Sequence, residues 1–438
     1  MNQLSSLRIG IDGFNLSLPR GTGVATYARN LTYALKLLNH DVDALYGMDI
    51  TEKMAPTLRE VMFFDRLGGN IQPRSSSPLR PKWWKNTIQD AAGRTAIEVP
   101  MTGHVDRRLF VENLPQADRI LNVWNLFHRA QAYYRLTGQF LRVNIPDPPA
   151  IMHWTYPFPI SVNKSINIYT IHDLVPLRLP TTTADNKKYY YNLIRDICRK
   201  QGPICTVSEA SRQEINKFFP DSKENTYVAY PSVSDPKKNY TGSEYEKNEL
   251  HNMFGISAGE YFIFIGALEP KKNIYRLVES FLSYNTSRKL LIVGAAGWKN
   301  RPIVRIIKKG VDAGRVVYSD YLPRPVLRFL LKNARALLFP SIAEGFGLPV
   351  LEAFQAGIPV MCSAEGGLKE VCGNAALIVD AFDTESIIRG ISRMDNDDSL
   401  CNSLTKNGTE QAGQFSINKF SDGISEMYRE ALRKNAQK

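Results

Sequence analysis

The stretch EGFGLPVLE, residues 344–352, is the part of the sequence that decides the fold. It follows an apolar run, ALLFP at residues 336–340, that is typical of a buried strand. Pro349 suits the first turn of a helix, where its missing N–H costs no hydrogen bond, and Gly357 marks the end of that helix. The pattern predicts a strand, a glycine-rich turn and a helix, which is the unit of a parallel sheet.

Two carboxylates flank the start of this helix. Glu344 lies in the loop before it, and Glu352 lies within it. The first N–H groups of a helix have no partner inside the helix, so they offer a site for a diphosphate. The carboxylate at each end can accept hydrogen bonds from hydroxyl groups. The stretch therefore suits a nucleotide-sugar, in which hydroxyl-bearing rings lie on both sides of a diphosphate. The alternative is a solvated loop glutamate followed by a glutamate that the helix dipole favours.

The composition is that of a globular protein with a basic surface. The 438 residues carry 43% hydrophobic residues and a formal net charge of +12. No apolar run approaches the roughly 18 residues of a membrane span, and five dispersed cysteines fit a reducing compartment, so we expect a cytoplasmic protein. The charge indicates a polyanionic or membrane-surface partner. No known nucleic-acid-binding pattern accompanies it, so we expect no nucleic acid among the partners.

Apolar runs alternate with helical patterns along the chain, which predicts parallel sheets with crossover helices. One series covers residues 1–235 and a second covers residues 246–412, with a polar, linker-like stretch at residues 232–245. The predicted fold class is α/β, with two doubly wound, Rossmann-like domains that face each other across a cleft. Ligands then bind at the carboxyl ends of the strands. Residues 413–438 have the apolar spacing of a final helix.

Two further groups point to an anionic ligand in this cleft. Lys271 and Lys272 follow a strand, and cations at a helix start oppose the helix dipole, so an anionic ligand explains them better than solvation does. Gly21 and Gly23 lie between the first strand and the first helix. They let the backbone approach a ligand closely, or they form a plain tight turn.

Two histidines are candidates for contact with the reacting groups. His172 and His153 each come at the end of a predicted strand, and Asp173 is placed to orient the imidazole of His172. Both positions belong at the cleft if the sheets are parallel. The sequence does not choose between the two histidines, and a structural role is the alternative for each.

Several motifs together resemble glycosyltransferase family 4. They are GTG (21–23), TIHDLVPLRLP (170–180), CTVSEASR (205–212), GALEPKKN (266–273), LIVGAAGW (291–298), FPSIAEGFGLPVLEAFQAGIPVMCS (339–363) and EVCGNAALIVD (370–380). The resemblance implies the GT-B fold and retaining glycosyl transfer from a nucleotide-sugar. It makes residues 1–235 the acceptor domain and residues 246–412 the donor domain, and it implies that the last helix crosses back to the acceptor domain.

The resemblance also implies roles for single residues. Lys272 contacts the diphosphate, Glu352 the ribose and Glu344 the sugar. Lys271 stands where many members have arginine, so it keeps the charge but lacks the bidentate fork. The implied catalytic set is Glu344, Lys272, His172, His153 and Asp173. The implied donor-binding set is Gly21, Gly23, Lys271, Gly345, Phe346, Gly347, Leu348, Glu352, Tyr321 and Leu322, with the base over residues 315–322.

Two acidic clusters are candidate metal sites because carboxylates are the usual ligands of hard cations. Asp41 and Asp43 form a DxD motif, and residues 395–398 include three aspartates. Both lie far in sequence from the phosphate-binding candidates. We predict that they are solvated acids and that the protein needs no metal ion or other cofactor.

The segment from residue 50 to residue 150 is irregular. Residues 74–142 hold 11 Lys/Arg against 5 Asp/Glu, interleaved with aromatic residues such as Trp83 and Trp84. One interpretation is a surface that meets anionic lipid head groups on the inner face of the plasma membrane. The other is a helical insertion whose aromatic residues form core.

The reaction we expect first is transfer of mannose from GDP-mannose to a lipid-diphosphate-linked or polysaccharide acceptor in surface-glycan synthesis. The basis is that GALEPKKN and TIHDLVPL resemble bacterial mannosyltransferases. Glucosyl or rhamnosyl transfer comes next. The alternatives are a GT-B sugar phosphorylase, a sucrose-synthase-like enzyme or a non-catalytic sugar-nucleotide-binding protein.

Overall fold

Two parallel β-sheets, each covered by helices, form the protein. The structure is a computed structural model, and it describes residues 6–18, 23–67, 69, 87, 89–110, 114–200, 202–233, 252–297 and 300–437. Gly21, Trp83, Trp84 and most of the expected linker lie outside these ranges. The described strands are β1 Arg8–Asp12, β2 Asp41–Tyr46, β3 Arg94–Thr95, β4 Ile97–Glu98, β5 Arg119–Asn122, β6 Leu141–Asn144, β7 Ile151–Trp154, β8 Ile160–Val162, β9 Ile166–Ile171, β10 Ile204–Thr206, β11 Thr226–Val228, β12 Tyr261–Ile265, β13 Lys289–Val293, β14 Val316–Ser319, β15 Ala336–Phe339, β16 Val360–Cys362 and β17 Leu377–Ile378.

The strand orders place the first strand of each series in the interior of its sheet. The first sheet runs β11-β10-β9-β7-β1-β2-β5-β4, and only its edge strand β4 pairs antiparallel among the described strands. The second sheet runs β14-β13-β12-β15-β16-β17, the order of a dinucleotide-binding fold. A small third sheet has the order β3-β6-β8. The predicted α/β class with parallel sheets is confirmed.

Helices connect successive strands and cover the sheets. The described α-helices are Gly23–Leu37, Pro56–Arg66, Leu126–Thr137, Val175–Arg178, Lys187–Arg199, Glu209–Phe218, Ile274–Ser283, Arg301–Asp312, Arg324–Lys332, Leu348–Ala356, Leu368–Cys372, Thr384–Asn396, Asp398–Ala412 and Ile417–Ala436. In both sheets the strand interiors are almost fully buried and rich in Ile, Val, Leu and Phe. That is the pattern of a parallel sheet covered on both faces.

The helix Leu348–Ala356 begins and ends where its sequence requires. Gly347 precedes it with φ 118°, a backbone conformation that a side chain would strain, and Pro349 occupies the first turn. Gly357 ends the helix with φ 74°. Val350, Leu351, Ala353 and Phe354 are buried against the second sheet, so packing and local conformation agree.

The last helix, Ile417–Ala436, lies against the first sheet although it follows the second one in sequence. It packs on the helix Gly23–Leu37 and on β9. Its buried residues include Phe420, Ile424, Met427 and Tyr428, which recur at helical spacing. The chain therefore returns to its first half after completing the second sheet.

The described part of the irregular segment forms core. Phe127, Tyr133, Tyr134 and Phe140 are all buried, so these aromatic residues are unavailable to a membrane surface. Buried Asp90 binds the guanidinium groups of Arg94 and Arg129, and these contacts fix two of the basic residues. The described residues thus follow the insertion interpretation. Among the described helices, none is both long and apolar enough to cross a bilayer.

Candidate active site

A cavity of about 1830 Å³ lies between the two sheets. Its walls come from loops at the carboxyl ends of the strands and from the helices Gly23–Leu37 and Arg324–Lys332. This is where ligands bind in doubly wound sheets, because the helices that follow the strands present their N-termini there. Most of the candidate residues from the sequence line this one cavity.

Lys272 and Glu344 form an ion pair at the cavity floor. Lys272 ends a short 3₁₀ turn after β12, and Glu344 follows β15, so two neighbouring strands deliver the two charges. Lys272 Nζ donates to Glu344 Oε1 at 2.6 Å, and the side chains are only 14% and 9% exposed. The ammonium also lies 5.1 Å from the centre of the Phe339 ring. An anion that enters here meets a fixed cation that water screens weakly.

Lys271 reaches across the cavity to the first half of the chain. Its Nζ lies 3.9 Å from Asp173 Oδ2. Burial by itself lowers the pKa of Lys271, but the carboxylates of Asp173 and Glu344 outweigh it and raise the pKa above its usual value. The side chain is therefore a permanent cation beside the Lys272–Glu344 pair.

His172 lies at the end of β9 and lines the cavity. Its Nε2 donates to the Thr155 carbonyl at 2.9 Å, and burial lowers the pKa of the ring. The ring is then neutral, with Nδ1 as its acceptor. Asp173 does not orient it as expected, because Asp173 Oδ1 accepts from the Val175 N–H and Oδ2 faces Lys271.

His153 does not reach the cavity, so its expected cleft position is wrong. The residue is fully buried, and its ring nitrogens share hydrogen bonds with Tyr428 Oη at 2.7 Å and Thr170 Oγ1 at 2.8 Å. Burial lowers its pKa to about 3. The cause is the last helix, which brings Tyr428 over the end of β7. His153 joins the first sheet to that helix.

The loop from Gly345 to Leu348 touches both halves of the protein. The Gly345 carbonyl accepts from Ser208 Oγ at 2.6 Å, and a Cβ added at Gly345 would lie 2.4 Å from the His172 carbonyl oxygen. Only glycine allows that approach. Phe346, Gly347 and Leu348 line the cavity beside it, at the start of the helix Leu348–Ala356.

Glu352 lines the cavity farther along this helix. Burial raises its pKa, and the nearby Arg324 and Arg328 partly oppose that rise. Arg324 Nη2 also donates to Thr26 Oγ1 at 2.5 Å, a contact between the two halves of the chain. The sequence reasoning missed Arg324. Arg324 begins its helix, so the argument that identified Lys271, a cation at a helix start, applies to it as well.

Glu370 is a second residue that the sequence reasoning missed. Its carboxylate accepts from the Glu209 and Ala210 N–H groups at 2.8 and 2.7 Å, and from Tyr230 Oη at 2.7 Å. A carboxylate from the second half thus caps the helix Glu209–Phe218 of the first half. Ser208, the residue before that helix, adds a side-chain cap because its Oγ accepts from the Ser211 N–H.

The other candidates line the cavity or lie outside the described ranges. Tyr321 and Leu322 line it just after β14, and Tyr321 is half exposed. Gly23 lines it at the start of the helix Gly23–Leu37. Gly21 cannot be placed because it lies outside the described residues.

The prediction that the two acidic clusters are solvated is wrong for Asp43 and Asp395, which are buried. Asp43 is buried and accepts from Arg119 Nε at 3.0 Å and Nη2 at 2.6 Å. Asp395 is buried against Arg288, whereas Asp398 is mostly exposed. Within the described ranges, no group of three or more His, Cys, Asp or Glu side chains could hold a metal ion.

The two sheets and the charged cavity between their carboxyl edges define a GT-B protein. Residues 246–411 match the family described as Glycosyl transferases group 1.

Solved structures share the fold over almost the whole chain. Sucrose-phosphate synthase from Thermosynechococcus elongatus superposes with a TM-score of 0.63 at 17% identity, covering 98% of this chain and 100% of the other. HepE of Anabaena, solved with UDP and glucose, gives a TM-score of 0.62 at 14% identity, covering 97% and 100%. At these identities the likeness establishes the fold alone.

Curated relatives are similar over part of their length. The O-antigen chain mannosyltransferase B of Escherichia coli is 32% identical over 257 residues, which are 57% of this chain and 66% of the relative. The O-antigen chain mannosyltransferase RfbU of Salmonella typhimurium is 28% identical over 228 residues, which are 52% of this chain and 60% of the relative. The alignments thus span less than two thirds of each of these relatives.

Proposed function

We propose that this protein is a retaining glycosyltransferase that transfers mannose from GDP-mannose to a glycan acceptor. One observation carries the proposal: Lys271, Lys272, Glu344, Glu352 and the start of the helix Leu348–Ala356 all line a single cavity. The names of the two relatives support mannose as the sugar and a surface polysaccharide as the product.

The donor would lie along the second sheet. The diphosphate would accept from the backbone N–H of Leu348 at the start of the helix Leu348–Ala356, because Pro349 has no N–H and the Val350 N–H donates to the Gly347 carbonyl. Glu352 would accept from the ribose hydroxyl groups, and the base would lie near Tyr321 and Leu322. This order places the sugar beside Glu344, at the end nearest the first sheet.

Departure of the diphosphate develops negative charge, and fixed cations stabilise it most effectively when they are already in place. Lys271 and Lys272 supply that charge from a site that is largely closed to water. We infer that these two ammonium groups make a metal ion unnecessary. Activity that survives chelation with EDTA would agree with this, and activity that returns only with added Mg²⁺ would contradict it.

The reacting carbon would lie between Glu344 and His172. Glu344 can accept from sugar hydroxyl groups, and the neutral His172 ring has Nδ1 available as an acceptor because Nε2 is bound to Thr155. The acceptor hydroxyl would approach from the first sheet, on the face that the diphosphate leaves. The departing phosphate oxygen can then take its proton, so the reaction needs no separate strong base.

The acceptor class suggests where the protein works. A polysaccharide grown on a lipid diphosphate is assembled at a membrane, and the chain carries a net charge of +12. We propose that the protein is cytoplasmic and associates peripherally with the inner face of the plasma membrane. Binding to anionic vesicles that weakens as salt is added would support this, and no binding at low salt would oppose it.

The donor is tested by thermal shift with GDP, UDP, ADP and dTDP. We expect GDP to stabilise the protein most, since mannose is carried on GDP. GDP-mannose turnover should then fall at least about 100-fold in Glu344→Gln, since the variant loses a contact to the reacting sugar. Glu410→Gln changes an exposed glutamate outside the cavity and serves as the matched control. A shift with UDP alone would replace mannose by a glucose-type donor, and unchanged turnover in Glu344→Gln would remove its assigned role.

A further inference from the structure

Glu370 joins the two halves of the chain close to the reacting groups, yet it does not line the cavity. It lies on the short helix Leu368–Cys372, three of whose five residues are fully buried in the second half. Its carboxylate reaches out of that half and accepts from the Glu209 and Ala210 N–H groups of the first half, at 2.8 and 2.7 Å. The reaction proposed above gives this contact no role.

The helix that carries Glu370 is fixed to the backbone of Glu344. Gly367, the residue before that helix, donates its N–H to the Glu344 carbonyl at 2.9 Å. A Cβ added at Gly367 would lie 2.2 Å from the Gly345 carbonyl oxygen, so only glycine allows this approach. The N–H of Glu370 donates in turn to the Gly367 carbonyl at 3.2 Å. Glu370 is therefore rigidly connected to the loop that carries Glu344.

The helix that Glu370 caps is fixed to His172. Ser211, in the first turn of the capped helix, donates from Oγ to the His172 carbonyl at 2.9 Å. Ser208, the residue before that turn, donates from Oγ to the Gly345 carbonyl at 2.6 Å. One helical turn thus holds the backbone on both sides of the place proposed for the reacting carbon.

Charge makes the Glu370 contact stronger than a neutral hydrogen bond. The first N–H groups of a helix have no partner within the helix, and they lie at the positive end of its dipole. A carboxylate that accepts from two of them forms charge-assisted bonds. Tyr230 Oη donates to the same carboxylate at 2.7 Å, and burial together with this bond raises the pKa of Tyr230, so the hydroxyl keeps its proton. Arg212 binds the carboxylate of Glu209 at 2.8 Å, which limits the repulsion between the two acids.

We propose that Glu370 is a positioning residue, which sets the distance between Glu344 and His172 by fastening the loop of the second half to the helix of the first. The inference rests on the proposed function, in which the reacting carbon lies between these two residues. A displacement of about 1 Å between reacting groups can lower a rate by about 100-fold. Lys272 and Glu352 both belong to the second half, so the donor should bind equally well when the contact is lost.

Hydrogen exchange tests whether the Glu370 contact exists in solution. The Glu209 and Ala210 amides have no acceptor within their own helix, so their protection depends on Glu370. We expect a peptide that covers both amides to be protected in the wild type. Protection should fall in Glu370→Gln, whose amide oxygen can still accept one bond, and disappear in Glu370→Ala. Unprotected amides in the wild type would overturn the inference.

Release of GDP from GDP-mannose, with water as the acceptor, measures turnover without a glycan acceptor. If UDP stabilises the protein more than GDP does, UDP-glucose takes its place. We expect Glu370→Gln to lower kcat about tenfold, the effect of one lost charge-assisted hydrogen bond, and to change the donor KM and the nucleotide Kd less than about twofold. Glu365→Gln is the matched control. Glu365 also pairs across the two halves, with Arg178 at 3.6 Å, but these side chains are 40% and 35% exposed, so kcat should change less than about twofold.

The outcomes separate this inference from the proposed function. An unchanged kcat in Glu370→Gln, with the amide protection reduced, would overturn the inference. A donor KM that rises as much as kcat falls would overturn it too, because a damaged donor site would then explain the loss. A wild type that binds none of GDP, UDP, ADP and dTDP and hydrolyses no nucleotide-sugar would refute the proposed function, and the inference with it. An active wild type whose kcat is insensitive to Glu370 would refute the inference alone.

Discussion

Replacing Lys272 by methionine would leave the Glu344 carboxylate in a nearly closed site without its cation. The atoms Lys272 Nζ and Glu344 Oε1 are 2.6 Å apart, and both side chains are less than one sixth exposed. At that distance and an effective dielectric constant of about 20, the attraction amounts to about 6 kcal/mol before desolvation is subtracted. Removing one member of a buried pair usually costs about 3–5 kcal/mol, since the other charge stays buried. We expect Lys272→Met to lower the free energy of unfolding by about 3 kcal/mol, at the low end because some water reaches the cavity.

Removing both charges should cost much less than removing one. Glu344→Gln keeps the shape of the side chain and eliminates the uncompensated charge. We expect the double variant Lys272→Met/Glu344→Gln to recover about 2 kcal/mol relative to Lys272→Met. The coupling energy from the four proteins of the cycle is then that recovery plus the cost of Glu344→Gln alone, which leaves the Lys272 ammonium without its carboxylate.

Urea unfolding without nucleotide, followed by circular dichroism and fluorescence together, measures the cycle. Two probes are needed because the two sheets can unfold at different urea concentrations. Lys308→Met is the control: its pair with Asp312 is 73% and 60% exposed and should contribute less than about 0.5 kcal/mol. Equal stabilities for Lys272→Met and the double variant would refute the reasoning, because the carboxylate would then be adequately solvated without its partner.

Other outcomes follow from single groups. In isothermal titration the protein should bind a nucleoside diphosphate about tenfold more tightly than its 2′,3′-dideoxy analogue. Glu352→Gln should abolish this difference in affinity. An unchanged affinity ratio in the variant would mean that the ribose does not contact Glu352. His153→Phe should lower the free energy of unfolding by about 2–4 kcal/mol, since it removes buried hydrogen bonds to Tyr428 and Thr170. The same variant should leave the donor KM unchanged, and a tenfold higher KM would show that His153 contacts the donor after all. Burial raises the pKa of Asp12 from 3.8 to about 6, so the folded state binds more protons between these values. Stability from this group is then fully present below pH 3.8 and is lost as the pH rises through about 6, by about 3 kcal/mol in all. Urea unfolding across this range should show that slope in the wild type and a shallower one in Asp12→Asn, and parallel slopes would contradict it.

Local sequence was sufficient to predict those parts of the site that one strand and the few residues after it determine. The glycines and the proline around residues 344–352 define a turn and a helix start, and that part of the structure agrees with the prediction. Lys272 and Glu344 were expected at one cleft because β12 and β15 are parallel, and these strands are neighbours. Parallel strands bring their carboxyl ends together whatever lies between them in the chain.

Long-range packing limited the prediction elsewhere. His172 and His153 look equivalent in sequence, but Tyr428, 275 positions later, covers only His153. Asp43 resembles a metal ligand until Arg119, 76 positions away, binds both of its oxygens. Such partners depend on which elements become neighbours in three dimensions, and local patterns do not carry that information.

The final helix has a consequence for synthesis on the ribosome. Domains generally fold as they emerge, from the N-terminus onward. Here the helix Ile417–Ala436 supplies Phe420, Ile424 and Tyr428 to a core that also holds first-sheet residues such as Ile168 and Cys205, which emerge about 200 residues earlier. The first sheet is therefore translated without these side chains, and His153 gains its partner Tyr428 only after the second sheet has been translated. The first half of this protein is the last to mature.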